Sequence, residues 1–212
     1  MLFVTLRLVS TTTKTRAGTE SGKGAETRAA ILDRAVDLAS AEGLEALTIG
    51  RLAAELEMSK SGLFAHFGSK QELQLAAVEA AAERFRQTVI EPAEAAPAGA
   101  ARLRAMADAY LDHLESDSYS GGCFWGAASA DYDDRPGPVR DAIAAALDLW
   151  LATFEQQLEQ AGVEQADRVA FELYSVVMGA NSRYRLSRDR RVFDHARATV
   201  DRLLADGRSA TV

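Results

Sequence analysis

Residues 48–73, TIGRLAAELEMSKSGLFAHFGSKQEL, decide how the rest of the chain is read. Ile49, Leu52, Ala53 and Leu56 stand at i, i+3, i+4 and i+7, the spacing of one apolar helix face, and Thr48 is placed to cap that helix. Glu57 and Met58 interrupt the run. Ser59 can cap a second, shorter helix whose Leu63 and Phe67, four apart, point to the same core. Gly68 ends it, and Ser69-Lys70-Gln71-Glu72 has the form of a capping box that starts a third helix. A short helix, a tight turn, a second short helix and the beginning of a third make a helix-turn-helix arrangement.

The outer side of the second helix carries Ser59, Lys60, Ser61, Gly62 and His66. Small side chains let a backbone approach a nucleic-acid groove closely, and hydroxyl and ammonium groups reach base edges and phosphates. Gly62 costs roughly 0.8–1 kcal/mol relative to alanine inside a helix, and close approach to DNA is a reason to keep it. Lys70 falls in the first turn of the third helix, beside backbone N–H groups that can receive a phosphate. No acidic residue occurs from Met58 to Gln71, although the chain as a whole carries a net charge of −7.

The pattern SK-x-x-L-x-x-HF-x-SK-x-x-L, here Ser59-Lys60, Leu63, His66-Phe67, Ser69-Lys70 and Leu73, resembles the DNA-binding domain of the tetracycline-repressor (TetR) family of transcription regulators. The resemblance extends upstream to Thr27 and, more loosely, through the remainder. It implies an all-α chain of about nine helices. An N-terminal three-helix DNA-binding domain would be joined by helix 4 to a helical bundle for effector binding and dimerisation. It implies a sequence-specific DNA-binding regulator, a repressor released from its operator by a small molecule. The DNA-contact set becomes Thr48, Ser59, Lys60, Ser61, Gly62, Phe64, His66 and Lys70. Many members have two tyrosines before the histidine where this chain has Phe64 and Ala65, so those two hydroxyl contacts to phosphate are missing.

Composition agrees with a water-soluble helical protein: of 212 residues 48% are hydrophobic, 26% are charged and four are proline. Residues 76–212 carry all of the −7, so DNA affinity has to come from a local basic surface and depend on salt. One cysteine, Cys123, excludes an intrachain disulfide and a cysteine-rich zinc site, and fits a reducing cytoplasm. His66, His113 and His195 lack metal-ligand spacing, so no metal and no cofactor is expected. GxGxxG, GxxxxGK[ST], HExxH and GxSxG are absent, which argues against an enzyme. The apolar opening, residues 1–10, is too short to span a membrane.

In chain order, residues 1–25 read as a flexible arm, 26–72 as the DNA-binding domain and 73–212 as the effector-binding and dimerisation domain. Helix 1 is expected over about 26–42 and helix 4 over about 69–89. A break follows at 92–99, PAEAAPAG, then helices near 100–116, 123–128, 139–161, 163–186 and 189–204. Asp131, Asp133 and Asp134 read as an exposed acidic turn before Pro136-Gly137.

The second domain concentrates Met106, Tyr110, Phe124, Trp125, Trp150, Phe154, Tyr174 and Met178. Each is core by default; together, on the family resemblance, they form an apolar effector cavity with Asn181, His113 or Tyr174 as polar anchors. The last two helices offer Phe171, Val176, Val177 and Ala180 with Val192, Phe193, Ala196 and Val200, which across a two-fold axis would build a homodimer interface. Cys123 reads as a small buried residue rather than a redox sensor, having no second cysteine to resolve it. The competing reading is a helical small-molecule binding protein or enzyme with a vestigial helix-turn-helix.

Overall fold

The computed structural model of the chain describes residues 22–116 and 118–206, and within them every regular element is helical. Helix α1 (Gly22–Glu42) buries Ile31, Leu32, Ala35, Val36, Leu38 and Ala39. It ends at Gly43, whose φ of +90° suits a residue without a Cβ. Residues 22–25, expected in the arm, form its first turn instead. Extending an existing helix costs far less than nucleating one. The rest of the arm lies outside the described residues.

Helix α2 (Ile49–Glu55) is capped as its sequence suggests, Thr48 Oγ1 accepting the N–H of Arg51 at 3.1 Å. Its far end closes with the N–H of Met58 on the carbonyl of Ala53 at 3.0 Å, a bond that requires Glu57 to take the left-handed conformation at φ +53°. Glycine normally fills that position without strain. Glu57→Gly is therefore expected to raise stability by up to about 1 kcal/mol, measured as an upward shift of the urea midpoint at constant m-value. A fall in the midpoint would show that the left-handed turn is not strained. Helix α3 (Lys60–Phe67) follows directly and ends at Gly68, φ +73°.

Helix α4 starts at Lys70, behind the Ser69 cap, and its α-helical part runs to Phe85. A π-helical turn (Arg86–Ile90) and a last α-turn (Glu91–Ala93) prolong it in the same direction. The sequence places a break at 92–99; the helix runs through Pro92 and ends at Ala93, inside that stretch. The N–H of Glu91 bonds the carbonyl of Arg86, five residues back, so that Pro92 falls in the first turn of the final piece, where its lack of an N–H is tolerated. The body is completed by α5 (Ala100–Glu115), α6 (Phe124–Tyr132), α7 (Pro138–Gln160), α8 (Ala166–Ser187) and α9 (Arg191–Asp206). With α4 taken as one rod, the described residues hold the nine helices that the resemblance implies.

One apolar core runs without interruption from α1, α2 and α3 through α4 into α5, α6, α7 and α8. A second core lies at the far end of the body, where Leu103, Met106, Phe154, Leu158, Leu173, Val200 and Leu204 meet. Helix α4 contacts α1 and α7 and so joins the short helices to the body.

A polar seam reinforces that join. Asp37 accepts the N–H of Ser120 at 2.8 Å, and buried Ser40 accepts the N–H of Gly121 at 3.1 Å. A Cβ added at Gly121 would stand 1.9 Å from the Ser40 carbonyl oxygen, so backbone meets backbone here. Asp131 is not part of an exposed turn, because α6 runs on to Tyr132. Its carboxylate folds over Gly43 and accepts the N–H of Glu45 at 3.1 Å. Buried Gln74 donates to the carbonyl of Leu44 at 2.8 Å.

Candidate nucleic-acid interface

Leu63 and Phe67 are buried and fix the rotation of α3, and the Arg28 guanidinium lies over the Phe67 ring at 5.2 Å. That rotation leaves Ser59, Lys60, Ser61, Phe64 and Ala65 facing out, with Gly62 and His66 partly covered. Ser59 Oγ accepts the N–H of Gly62 at 3.1 Å. Ser59 and Thr48 thus act as acceptors in their caps; the Ser59 hydroxyl also meets that of Ser61 at 3.3 Å, and the Thr48 hydroxyl keeps its own hydrogen to donate. Phe64 is 57% exposed, an unusual state for phenylalanine on a helix whose other large apolar residues are buried.

A Cβ added at Gly62 would meet only Ser59 Oγ, at 3.1 Å. Nothing inside the protein demands glycine there. The Lys60 side chain extends over α2, where an added Cβ at Gly50 would be 3.5 Å from its Cε. Arg34 and Arg51, by contrast, are tied into an ion-pair network with Asp37, Glu42 and Glu55 across α1 and α2. Their hydrogen bonds hold the Glu42 and Glu55 carboxyls below the usual range.

Lys70 is less free than its sequence position suggests. Its ammonium donates to Glu45 at 2.6 Å, and the Glu45 carboxylate also accepts the Tyr132 hydroxyl at 2.9 Å. The Lys70 hydrogen bond is the main reason the Glu45 carboxyl is held below its ordinary range. Glu45 lies 25 residues from Lys70, and no local pattern announces the pair.

The buried aromatic residues of the body divide between the two cores. Tyr110, Phe124, Trp125 and Trp150 gather around Phe85 of α4, which stacks on Trp150 with ring centroids 3.3 Å apart and meets Tyr110 edge-on at 4.8 Å. Met106 and Phe154 belong to the far core. Tyr174, Met178 and Asn181 are half-buried on α8, and Asn181 accepts the N–H of Cys123 at 3.2 Å, holding the start of α6. Beside the aromatic cluster, among Phe85, Tyr110, His113, Tyr119, Cys123 and Trp125, there is an enclosed space of only about 10 Å³, room for about one water molecule. The rings fill their own cavity. Cys123 is buried against the Tyr110 hydroxyl at 3.3 Å, and burial pushes its thiol pKa up, opposite to what a reactive thiolate needs.

Two family models match the chain: "Bacterial regulatory proteins, tetR family" over residues 31–77 and "Tetracyclin repressor-like, C-terminal domain" over residues 99–200. The chain belongs to the TetR family. No curated protein sequence matches it. Among solved structures, a TetR-family transcriptional regulator from Streptomyces coelicolor is 26% identical, with a TM-score of 0.77 over 92% of this chain and 98% of that one. A TetR regulator from Chloroflexus aurantiacus is 24% identical, TM-score 0.79, over 87% and 97%. AibR in complex with isovaleryl coenzyme A and operator DNA is 20% identical, TM-score 0.67, over 81% and 97%; at that identity the likeness is one of fold.

TetR regulators are DNA-binding repressors with ligand-binding C-terminal domains, they dimerise, and they are generally non-enzymatic. In this TetR chain no helix of the described residues is long and apolar enough to cross a membrane.

His113, one of the polar groups beside the aromatic cluster, is neutral in the fold: burial, helped by the nearby Arg84 charge, lowers its pKa to about 4. Unfolded, it titrates near 6.5. The unfolded chain therefore takes up the proton first. The stability contributed by neutral His113 is complete above the unfolded pKa and is lost as pH falls through the folded one. Between pH 7 and 5 the loss is expected to be about 2 kcal/mol. Urea unfolding of the parent and of His113→Gln at both pH values isolates it. Equal losses in the two proteins would rule it out.

Proposed function

We propose that the chain acts in the cytoplasm as a homodimeric operator-binding repressor, with residues 26–72 reading DNA and residues 73–212 binding effector and partner. Helix α3 enters the major groove. Ser61, Gly62 and Phe64 face the bases and their edges, while Thr48, Ser59, Lys60, His66 and Lys70 hold flanking phosphates. The observation that carries this reading is the outward face of α3: exposed, without an acidic residue, and bearing a glycine and a phenylalanine that the interior does not require.

The dimer face needs a different composition from the one the sequence suggests. Val177, Ala180, Phe193, Ala196 and Val200 are spent in closing the monomer. What α8 leaves outward is Phe171 at 63% and Leu186 at 82% exposure, with the small residues Ser175, Gly179 and Ser182 between them at helical spacing. Small residues flanked by large apolar ones allow α8 to approach its own copy closely. Two-fold pairing sets the α3 helices about 34–36 Å apart, one turn of DNA.

The effector is small and largely apolar, and it enters by displacing rings around Trp150 and Phe85 rather than by filling space already open. Because Phe85 belongs to α4, ring displacement acts on the rod that starts next to α3. An effector that favours the displaced arrangement by about 1–3 kcal/mol lowers operator affinity 5–150-fold. The chain performs no chemistry on this ligand. Fluorescence anisotropy with DNA flanking the protein's own gene is the test, and a saturable complex that outcompetes random DNA is expected. A folded dimer that forms no specific complex at low salt would leave the vestigial helix-turn-helix reading in its place.

A further inference from the structure

A second cleft lies outside the aromatic core. It lies where α4 begins and α7 begins, with a volume of about 400 Å³, lined by Glu45, Lys70, Gln71 and Gln74 on one side and by Tyr132, Arg135 and residues 136–140 on the other. That volume falls in the range of small-molecule sites. Three cationic side chains, Lys70, Arg135 and Arg140, share it with a single carboxylate, Glu45.

Glu45 is already satisfied. It accepts from Lys70 at 2.6 Å and from the Tyr132 hydroxyl at 2.9 Å, and it lies 3.6 Å from Arg135. Arg140 has no carboxylate partner among the described residues. Gln71 and the Arg135 and Arg140 side chains are exposed, so their donors are presented to solvent. The cleft therefore has an excess of positive charge and of donors, and no vacant acceptor that would hold a cation. Arginine's planar fork suits carboxylate and phosphate oxygens in particular.

The geometry points to a binding site for a small polyanion in this cleft, a phosphate ester or a di- or tricarboxylate, held by Arg135 and Arg140 and competing with Glu45 for Lys70. The site is separate from the apolar effector region. It has a consequence for DNA because Lys70 also serves the proposed operator phosphate contact. An anion that occupies the Lys70 ammonium removes one phosphate contact per subunit, and occupancy lowers operator affinity. Binding of the anion does not depend on the DNA-binding reading; only this second effect does.

Titration calorimetry on the full-length protein with inorganic pyrophosphate, and in a separate arm with citrate, at constant ionic strength, tests the site. Saturable binding of one anion per chain is expected, weakened roughly tenfold or more in Arg140→Ala and in Arg135→Ala. A preference for pyrophosphate over citrate, or the reverse, identifies which anion class the cleft takes. Both arginines are exposed, and a thermal melt matching the parent confirms that the variants fold. Absence of saturable binding to either anion, or equal affinity in parent and both variants, overturns the proposal. In the DNA arm, pyrophosphate is expected to weaken the operator complex of the parent more than that of Arg140→Ala at matched ionic strength. Equal weakening overturns the link to DNA. Failure to form any operator complex bears on the DNA-binding reading and leaves the calorimetric result to decide the site.

Discussion

Gly121→Ala is expected to lower the melting temperature by about 10 °C, the equivalent of at least ~3 kcal/mol for a chain of this size. The new Cβ would stand 1.9 Å from the Ser40 carbonyl oxygen and 2.2 Å from the Ala41 nitrogen, both backbone atoms of α1. No rotamer can relieve that overlap, so α1 and the loop before α6 must separate. Separation breaks the Gly121 bond to Ser40 and the Ser120 bond to the Asp37 carboxylate, leaving buried Ser40 without one of its partners. Gly24→Ala is the matched control: nothing lies within 4 Å of its added Cβ, and a helical alanine there is expected to stabilise slightly. Circular dichroism melts of the two variants decide the matter, and equal melting temperatures would mean that the seam yields without cost. The same substitution is expected to loosen the hold of α1 on the body, since the loop meets α1 and, through Cys123 and Asn181, α8.

The features legible in the sequence are the local ones. Thr48, Ser59 and Ser69 cap the helices they precede, because a cap is a bond between residues three apart and its chemistry is complete within one turn. Helix phases follow from 3.6-residue spacing for the same reason. Contacts across long separations are hidden. Asp131 appears in the sequence as one of three acids in a turn, yet its partner is the N–H of Glu45, 86 residues away. Lys70 reads as a bare ammonium until Glu45 is brought to it. Gly121, in the sequence only a neighbour of Cys123, owes its importance to a close approach of α1 that no window around it contains. Tyr110, Phe124, Trp125, Trp150 and Phe154 are buried, but helical spacing does not say that Met106 and Phe154 face a different core from Trp150. No window around Phe85 assigns it to the aromatic cluster of the body, yet it stacks on Trp150.

Gly62→Ala is expected to separate stability from recognition. The added methyl meets only Ser59 Oγ, at 3.1 Å, a hydroxyl at the end of a short side chain, so the gain in helix propensity and the crowding of the cap nearly cancel. Folding stability should remain within about 1 kcal/mol of the parent. Operator affinity, measured by anisotropy, should fall by about tenfold or more, with an altered preference at the bases nearest α3, because the methyl occupies space through which the backbone approaches the groove. Lys60→Ala is the complementary change. It removes a charge from a side chain that reaches along α2 and has no carboxylate partner among the described residues, so it should weaken operator and random DNA alike and reduce the salt slope by about 1. The two variants give opposite signatures, loss of preference against uniform loss. If Gly62→Ala leaves preference and affinity intact, glycine is not there for DNA, and Ser61 and Phe64 must carry the sequence reading by themselves. Because the rest of the chain holds the whole net charge of −7, each such contact works against a repelling body, and the loss of one weighs more than it would on a basic protein.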